Sequence, residues 1–310
     1  MTFGCVHDVG ISVHVTYDGA ELLEYVYHPA DAQREAPRPY AHPVRTLGGE
    51  VVTVLRPHDH VWHKGLAWSL PHVGSENFWG GGTYTHAERR YVQRDNNGAM
   101  RHQRLTALDA LADLVRIRHD LAWITQAGRH IVDEDRTVTV TVAPGHDAWT
   151  QRFDTAMTNV SGETIMLGSP TTAGRDNAGY GGLLWRGPRS FTGGTVLAPG
   201  TAGGDDLRGK RAPWMGFTGR HDETAAASTV VVVDHEANPS HPPQWFVRTE
   251  AFAALCPAPF FSEELPFEPG LTLRFSYAVV VADGESDPAR AATLAEVGVH
   301  ALTDDHEEAP

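Results

Sequence analysis

The chain has 310 residues, of which 41% are hydrophobic and 21% are charged, so its composition is that of a folded globular protein and excludes wholesale disorder. Its 25 basic and 39 acidic residues give a net charge of −14, which argues against a nucleic-acid surface and against binding to an anionic membrane. No apolar run predicts a transmembrane helix, the first residues lack the pattern of a secretory signal, and the two cysteines, Cys5 and Cys256, form no CxxC motif, so we expect a cytoplasmic protein.

Most of the predicted elements are strands. The segments Ile11–Tyr17 and Leu22–Tyr27, joined by the turn residues Asp18 and Gly19, predict a β-hairpin. Alternation of apolar and polar residues predicts further strands at Leu114–Ile124, Thr137–Val142, Trp149–Val160, Ser228–Asp234, Gln244–Thr249 and Leu271–Ala282.

One helix is predicted near the end of the chain, at about residues 287–302, with Asp287 as its N-cap and Pro288 in its first turn. An acidic tail follows at 303–310, and long loops rich in Gly, Pro and His are predicted at Arg56–Thr85 and Ser169–Arg220. Together these elements predict a single all-β domain over residues 1–310, an antiparallel β-sandwich with long loops and one C-terminal helix.

Histidine is frequent, with 18 residues, and it is densest in the first long loop. His58 and His60 point to the same side of an extended chain, and a bend at Val61–Trp62 would bring His63 back toward them. We expect these three imidazoles to converge, either as ligands of one divalent metal or as acid–base groups, with Lys64 stabilising an oxyanion. A structural role, in which the imidazoles bond backbone carbonyls, remains an alternative.

Aromatic residues lie beside glycines and polar residues in both loops, a composition typical of sugar pockets, because aromatic planes stack on the C–H faces of pyranose rings. Arginine, histidine and carboxylate groups then bind the hydroxyls. The predicted substrate-binding residues are Trp79, Arg175, Tyr180, Trp185, Arg186, Trp214, His241, Trp245 and Glu263. We expect the two loops to meet in one pocket, although tryptophans can equally fill the core of a large sandwich.

Several motifs resemble a bacterial, largely actinobacterial, family of unknown function that often carries the label methane oxygenase PmoA-like. The motifs are RPHDHVWHKGLAWSLPHVGSENFWGGGTY, GYGGLLWRGPRSFTGG, APWMGFTGRHD, DHEANPSHPPQWFVR and CPAPFFSEELPFEPG, which lie within about residues 38–284. A membrane methane monooxygenase subunit needs transmembrane helices, and this sequence predicts none, so the label does not imply that activity.

A more distant resemblance is to the galactose-mutarotase-like β-supersandwich proteins. It rests on the opening hairpin, the crossover MTNVSGETIMLGSP and the closing segment FEPGLTLRFSYAVVV. In aldose epimerases a His-x-Tyr motif follows the crossover and supplies the acid, whereas this sequence reads SPTTAGR at residues 169–175. The resemblance implies a glutamate base before the last strands, and Glu250 is the corresponding residue.

These observations predict a carbohydrate-active enzyme that transfers a proton on a sugar or an oxidised sugar, by epimerisation, elimination or hydrolysis. A divalent metal that polarises the sugar oxygens remains open. The alternatives are a non-catalytic carbohydrate-binding or sensing protein and a metal-dependent oxygenase. The predicted partner is a small-molecule carbohydrate, with no nucleic acid and no membrane.

Overall fold

A computed structural model of the protein describes residues 2–303, and most regular structure in this range is β-strand. The strands are β1 Phe3–Asp8, β2 Ser12–Tyr17, β3 Ala20–Val26, β4 Tyr40–Val44, β5 Leu66–Ser69, β6 His72–Val73, β7 Thr83–Thr85, β8 Arg90–Val92, β9 Ala99–Ala110, β10 Leu114–Ile124, β11 His130–Ala143, β12 Ala148–Asn159, β13 Ile165–Gly168, β14 Gly182–Arg186, β15 Thr195–Ala198, β16 Thr201–Gly203, β17 Trp214–Arg220, β18 Ala227–Asp234, β19 Gln244–Arg248, β20 Ala254–Ala258, β21 Leu265–Phe267 and β22 Thr272–Asp283. Three short 3-10 helices at Gln33–Glu35, Arg189–Phe191 and Asp205–Leu207 and one α-helix, α1 Pro288–Thr303, complete the elements of this range. The predicted acidic tail lies, from residue 304 onward, outside the described residues.

Two large antiparallel sheets contain most of these strands. One has eight strands in the order β1-β2-β3-β4-β5-β14-β20-β19, and the other has nine in the order β16-β15-β17-β18-β22-β12-β11-β10-β9. Side chains from both sheets form one apolar core, in which Trp68, Trp149 and Trp185 are fully buried. Burial of each such side chain contributes about 1.5–3 kcal/mol. The predicted antiparallel all-β fold with a C-terminal helix is confirmed.

The C-terminal helix covers the outer face of the nine-stranded sheet. Asp287 caps it, since its Oδ1 accepts a hydrogen bond of 2.8 Å from the backbone N–H of Arg290. The apolar stripe of α1 packs on β12, β15, β18 and β22 and contains Ala291, Leu294, Ala295 and Leu302. Trp214 is buried in this second cluster, so its predicted place in a substrate pocket is wrong.

On β14 and β19 the side chains alternate between the common core and the outer face of the eight-stranded sheet. Trp185 and Trp245 face the core, and each indole N–H donates to a backbone carbonyl at 2.8–2.9 Å. Their neighbours Leu184 and Phe246 belong to a separate apolar cluster on the opposite face. The predicted substrate-binding role of the two tryptophans is therefore wrong, because a shift of one residue moves a side chain to the other face.

The two predicted long loops contain strands. Arg56–Thr85 includes β5, β6 and β7, and Ser169–Arg220 includes β14, β15, β16 and β17. All five residues of β14 are buried, so this strand lacks the alternation by which a half-exposed strand is recognised. Within residues 2–303, no helix is long and apolar enough to cross a membrane.

Candidate functional site

A cavity of about 440 Å³ lies on the outer face of the eight-stranded sheet, above β14 and β19. Leu184, Phe246 and Arg248 form its floor, and the surrounding walls come from β8 and from the loops that precede β5, β7, β14 and β20. The aromatic rings that line it are those of Trp62, Trp79, Tyr91, Tyr180, Phe246 and Phe252. Its volume is in the range of sites that hold small molecules.

Tight turns shape the histidine loop. The N–H of His60 donates to the carbonyl of Pro57, and the N–H of His63 donates to the carbonyl of His60, both at 2.9 Å. The chain therefore folds back, and the rings of His60 and His63 stack with centroids 4.7 Å apart and planes 20° from parallel. Both line the cavity, whereas His58 is exposed outside it, where its Nδ1 accepts a hydrogen bond of 2.9 Å from Arg189.

The predicted metal set of His58, His60 and His63 is not assembled. A metal binds an imidazole nitrogen in the plane of the ring at about 2.0–2.1 Å, and two nearly parallel planes separated by a stacking distance do not share such a point. In residues 2–303, no group of three or more His, Cys, Asp or Glu side chains is arranged to hold a metal ion. The expectation that the three imidazoles converge on one metal is wrong.

Asp59 and His60 form a hydrogen-bonded dyad at the rim of the cavity. Oδ2 of Asp59 lies 2.8 Å from Nδ1 of His60, and Oδ1 accepts a hydrogen bond of 2.7 Å from Arg189. Burial opposes ionisation of Asp59, but these hydrogen bonds and the charge of Arg186 outweigh it, so the pKa of Asp59 lies well below its usual value. Because Nδ1–H donates to this carboxylate, the free lone pair of His60 is on Nε2, as a general base requires.

His63 differs from His60 in its burial, with only 4% of the residue exposed. Burial lowers the pKa of His63 well below 6.5, and the charges of His60, Arg186 and Arg38 lower it further, so the ring is neutral at pH 7. Its Nδ1 has no hydrogen-bond partner among the described residues. Buried polar atoms are normally paired, so this nitrogen is an exception among the side chains that line the cavity.

The sequence FWGGG builds the wall that carries Trp79. Oδ1 of Asn77 accepts hydrogen bonds from the backbone N–H groups of Trp79 at 2.8 Å and Gly80 at 2.9 Å. Gly80 has φ +104°, and a Cβ added there would lie 2.6 Å from Cβ of Trp62. Glycine therefore lets Trp62 pack directly on this turn. Trp79 in turn packs against Tyr180, with ring centroids 4.6 Å apart.

Two arginines face the same cavity. The guanidinium of Arg175 donates to the hydroxyl of Tyr91 and lies 4.8 Å from the centroid of its ring. The hydroxyl groups of Tyr91 and Tyr180 are 2.9 Å apart, and burial raises the pKa of Tyr180 well above 10, so this phenol is neutral. Arg248 projects from β19 on the same side as Phe246, and its Nε has no partner among the described residues.

Two predicted cationic residues lie behind the cavity and do not line it. Lys64 has a fully buried side chain that pairs with Glu35 and, at 2.8 Å, with Asp31, so it braces the loop and has no open face toward a substrate. Arg186 is also buried, and its guanidinium carbon lies 3.7 Å from the ring centroid of Phe252, which separates it from the cavity.

Three other predicted residues are not brought into the cavity. His241 has its Nδ1 2.6 Å from Oδ2 of Asp234, beneath the segment that leads into β19. Glu250 and Glu263 are both exposed, and neither is part of the cavity lining. Glu250 lies one residue before Ala251, which does line the cavity, so the sequence placed this carboxylate near the site but not within it.

The predicted site residues did not include Asp59, Trp62, Tyr91, Phe246, Arg248 or Phe252. Arg248 lies two residues after Phe246 on a strand and hence on the same face, but the sequence does not show that this face, and not that of Trp245, lines the cavity. Asp59 had a weak signal, as a carboxylate directly before a histidine. Tyr91 had none, because it belongs to the short hairpin of β7 and β8, whose contact with the cavity depends on tertiary packing.

Several solved structures are similar to this chain at low sequence identity. A GH36 alpha-galactosidase from Geobacillus stearothermophilus has 12% identity and a TM-score of 0.42, and the match covers 91% of this chain and 41% of that enzyme. The chain therefore spans about two fifths of the length of that enzyme. Galactose 1-epimerase from Lactobacillus acidophilus has 8% identity and a TM-score of 0.40, with 91% and 98% covered. A putative aldose 1-epimerase from Klebsiella pneumoniae has 10% identity and a TM-score of 0.37, with 98% and 92% covered.

Because the TM-scores are below 0.5, the activities of these enzymes are not assigned to this chain. No curated protein matches the chain in sequence. A family model does match, over residues 12–296, and its description is a family of unknown function, DUF6807. Because the match extends over most of the 310 residues, this chain belongs to the DUF6807 family.

Proposed function

We propose that this protein is a cytoplasmic carbohydrate-active enzyme that transfers a proton to or from a sugar bound in the cavity of the eight-stranded sheet. The observation that carries the proposal is the Asp59–His60 dyad at the rim of a cavity with aromatic walls. The cytoplasmic location is supported by the two cysteines, which are both free.

The cavity offers the two kinds of contact that a sugar requires. The indoles of Trp62 and Trp79 supply apolar faces for the C–H groups of a pyranose ring. The imidazole of His63 and the guanidinium groups of Arg175 and Arg248 supply hydrogen bonds for its hydroxyls. A sugar bound between these groups would place its ring atoms close to His60.

The chemistry assigned to His60 is general acid–base catalysis. With its Nδ1–H on an ionised Asp59, its Nε2 accepts a proton from a carbon next to a carbonyl or from a hemiacetal hydroxyl, and the carboxylate stabilises the imidazolium that forms. Protonation of the resulting enolate on its other face by water, with the proton on His60 released to solvent, gives epimerisation. Departure of a neighbouring substituent, protonated as it leaves by the imidazolium of His60, gives elimination. Both reactions start with the same proton transfer.

The test is solvent exchange in D₂O, followed by NMR on a panel of hexoses, ketoses and their oxidised forms. We expect the protein to exchange one C–H or to interconvert one pair of anomers or epimers. We expect His60→Gln to slow this by about 100-fold or more. The matched control is His58→Gln, since His58 lies in the same loop but outside the cavity, and this variant should keep the rate within about two-fold of the unmodified protein.

A sugar-binding protein without catalysis is the second candidate, favoured by the aromatic walls alone. It predicts that a sugar binds the unmodified protein and His60→Gln equally well and that neither exchanges a proton. Absence of binding to every sugar in the panel would contradict both candidates. A metal-dependent oxygenase has less support, since no cluster of two histidines and a carboxylate is arranged for a metal within residues 2–303.

A further inference from the structure

The charged side chains that line the cavity are opposite in sign to the net charge of the chain. The chain as a whole has a net charge of −14, yet no described residue that lines the cavity is an aspartate or a glutamate. The titratable and charged side chains of the lining are His60, His63, Arg175 and Arg248, together with two tyrosines. A cavity of this kind concentrates positive potential, because its apolar walls weaken screening by solvent.

The ion pair of Arg248 with Asp205 is long, and Arg248 shares this partner with a second arginine. Its nearest carboxylate, Oδ2 of Asp205, is 3.9 Å from Nη1, and that carboxylate is already paired with Arg208 and accepts a hydrogen bond of 2.7 Å from the N–H of Thr249. The Nε of Arg248 is buried and unpartnered among the described residues. Burial and the neighbouring charges of Arg208 and Arg175 lower the pKa of Arg248. The environment therefore disfavours the positive charge of this side chain.

Arg175 lines the same cavity from the loop that precedes β14. Its hydrogen bond is to the hydroxyl of Tyr91, and no described carboxylate forms an ion pair with it. His63, with 4% of the residue exposed and its Nδ1 unpartnered, lies in the same lining. Two guanidinium groups and an incompletely bonded imidazole thus surround a single space of about 440 Å³.

We propose that the cavity takes a sugar bearing an oxyanion, either a carboxylate or a phosphate, and that Arg175 and Arg248 bind this group. A guanidinium fork pairs two N–H groups with two oxygens of such an anion, which gives Arg248 a closer partner than Asp205. The aromatic faces then hold the ring, and the dyad lies at the rim. This inference rests on the proposed function, because it specifies the substrate class of the same cavity.

The experiment is isothermal titration of the full chain with D-glucose, D-galactose and D-mannose, each as the neutral hexose, the uronate and the 6-phosphate. We expect one uronate or one 6-phosphate to bind about ten-fold or more tightly than its parent hexose. A preference for the uronate identifies a carboxylate and a preference for the 6-phosphate identifies a phosphate. Equal binding of the neutral and charged forms would overturn the proposal.

Two variants test the assignment to the arginines. Arg248→Met and Arg175→Met should each weaken binding of the charged form more than binding of the neutral hexose, so that the preference for the charged form falls to about three-fold or less. The control for net charge is Arg104→Met, an exposed residue of β9 paired with Asp120, which should keep the full preference. Thermal unfolding of each variant shows that it is folded, and if Arg248→Met is not, Arg175→Met decides, since Arg175 lies in a partly exposed loop.

The outcomes separate this inference from the function on which it rests. If a neutral hexose binds and exchanges a proton but its charged forms bind no better, the oxyanion site is overturned and the proposed function stands. If the preference survives in both arginine variants, the assignment to Arg175 and Arg248 is overturned. If no sugar binds, charged or neutral, both proposals fail together.

Discussion

Replacement of Gly80 by alanine tests how the cavity is built. Gly80 has φ +104°, and a Cβ at this position would lie 2.6 Å from Cβ of Trp62 and 2.8 Å from the carbonyl oxygen of Glu35. Both neighbours are held in place, Trp62 by a hydrogen bond of 2.6 Å from Arg38 to its backbone carbonyl and Glu35 by its pairing with Lys64. The added methyl group therefore cannot be accommodated without movement of the backbone or of the indole.

Two effects add in this variant. The left-handed conformation costs an L-residue about 1–2 kcal/mol, and overpacking of a close contact costs about 1–3 kcal/mol. The expected loss in the free energy of unfolding is therefore about 2–5 kcal/mol. Gly128→Ala is the matched control, because Gly128 has φ +88° with no heavy atom within 4 Å of an added Cβ, so it should lose only the first part.

The measurement is urea unfolding of both variants, with the midpoint compared at unchanged slope. Sugar titration of the same proteins should show weaker binding in Gly80→Ala, because displacement of Trp62 changes the wall of the cavity, and unchanged binding in Gly128→Ala. If the two variants unfold at the same urea concentration, the close packing of Trp62 on this turn is not present and the explanation of the glycine run is refuted.

Three other predictions concern stability and the dyad. Burial lowers the pKa of His42 and of His72 from 6.5 to about 4, so the unfolded chain binds more protons than the folded chain between these pH values. The contribution of each imidazole to the free energy of unfolding is therefore fully present above pH 6.5 and should fall by up to about 3 kcal/mol as the pH drops to 4. Urea unfolding at several pH values measures this loss. Glu134→Gln should destabilise the protein by about 3–5 kcal/mol, because Nε of the buried Arg136 lies 2.7 Å from Oε1 of Glu134 and would lose its counter-charge. A loss below 1 kcal/mol by urea unfolding would contradict this. Asp59→Asn should slow proton exchange by about 100-fold with sugar affinity changed by less than about three-fold, and an unchanged rate would remove the dyad from the mechanism.

The strands that the sequence predicts well are those with one face in the core. The predicted bounds of Leu114–Ile124 coincide with β10, and those of β12 and β22 differ by one residue at each end. In β10, Val115, Ile117, Leu121 and Trp123 are all buried, as the alternation indicates. β9, at Ala99–Ala110, was not predicted, because it is the edge strand of the nine-stranded sheet and most of it does not face the core.

The candidate site was predicted in part, and the errors have two physical causes. The spacing of His58 and His60 indicates a shared side only in an extended chain, and the turn from Pro57 to His60 removes that geometry. The choice between Trp185 and Leu184 depends on which face of β14 is the core, and both faces are apolar because one carries the core and the other the floor of the cavity. Sequence shows that neighbours on a strand face opposite ways, but not which way.

The abundance of histidine is not what distinguishes the site. Nε2 of His119 bonds the hydroxyl of Tyr25 at 2.9 Å, and its Nδ1 lies 3.0 Å from Nδ1 of His102, so this buried imidazole completes its hydrogen bonding within the fold. His63 does not, and neither does the Nε of Arg248, although both are at one cavity. A buried polar atom left unpaired costs about 1–3 kcal/mol, and these two belong to side chains that line the same cavity. Their meeting at one cavity depends on side chains from separate loops and strands, which is why it is read from the structure and not from the sequence.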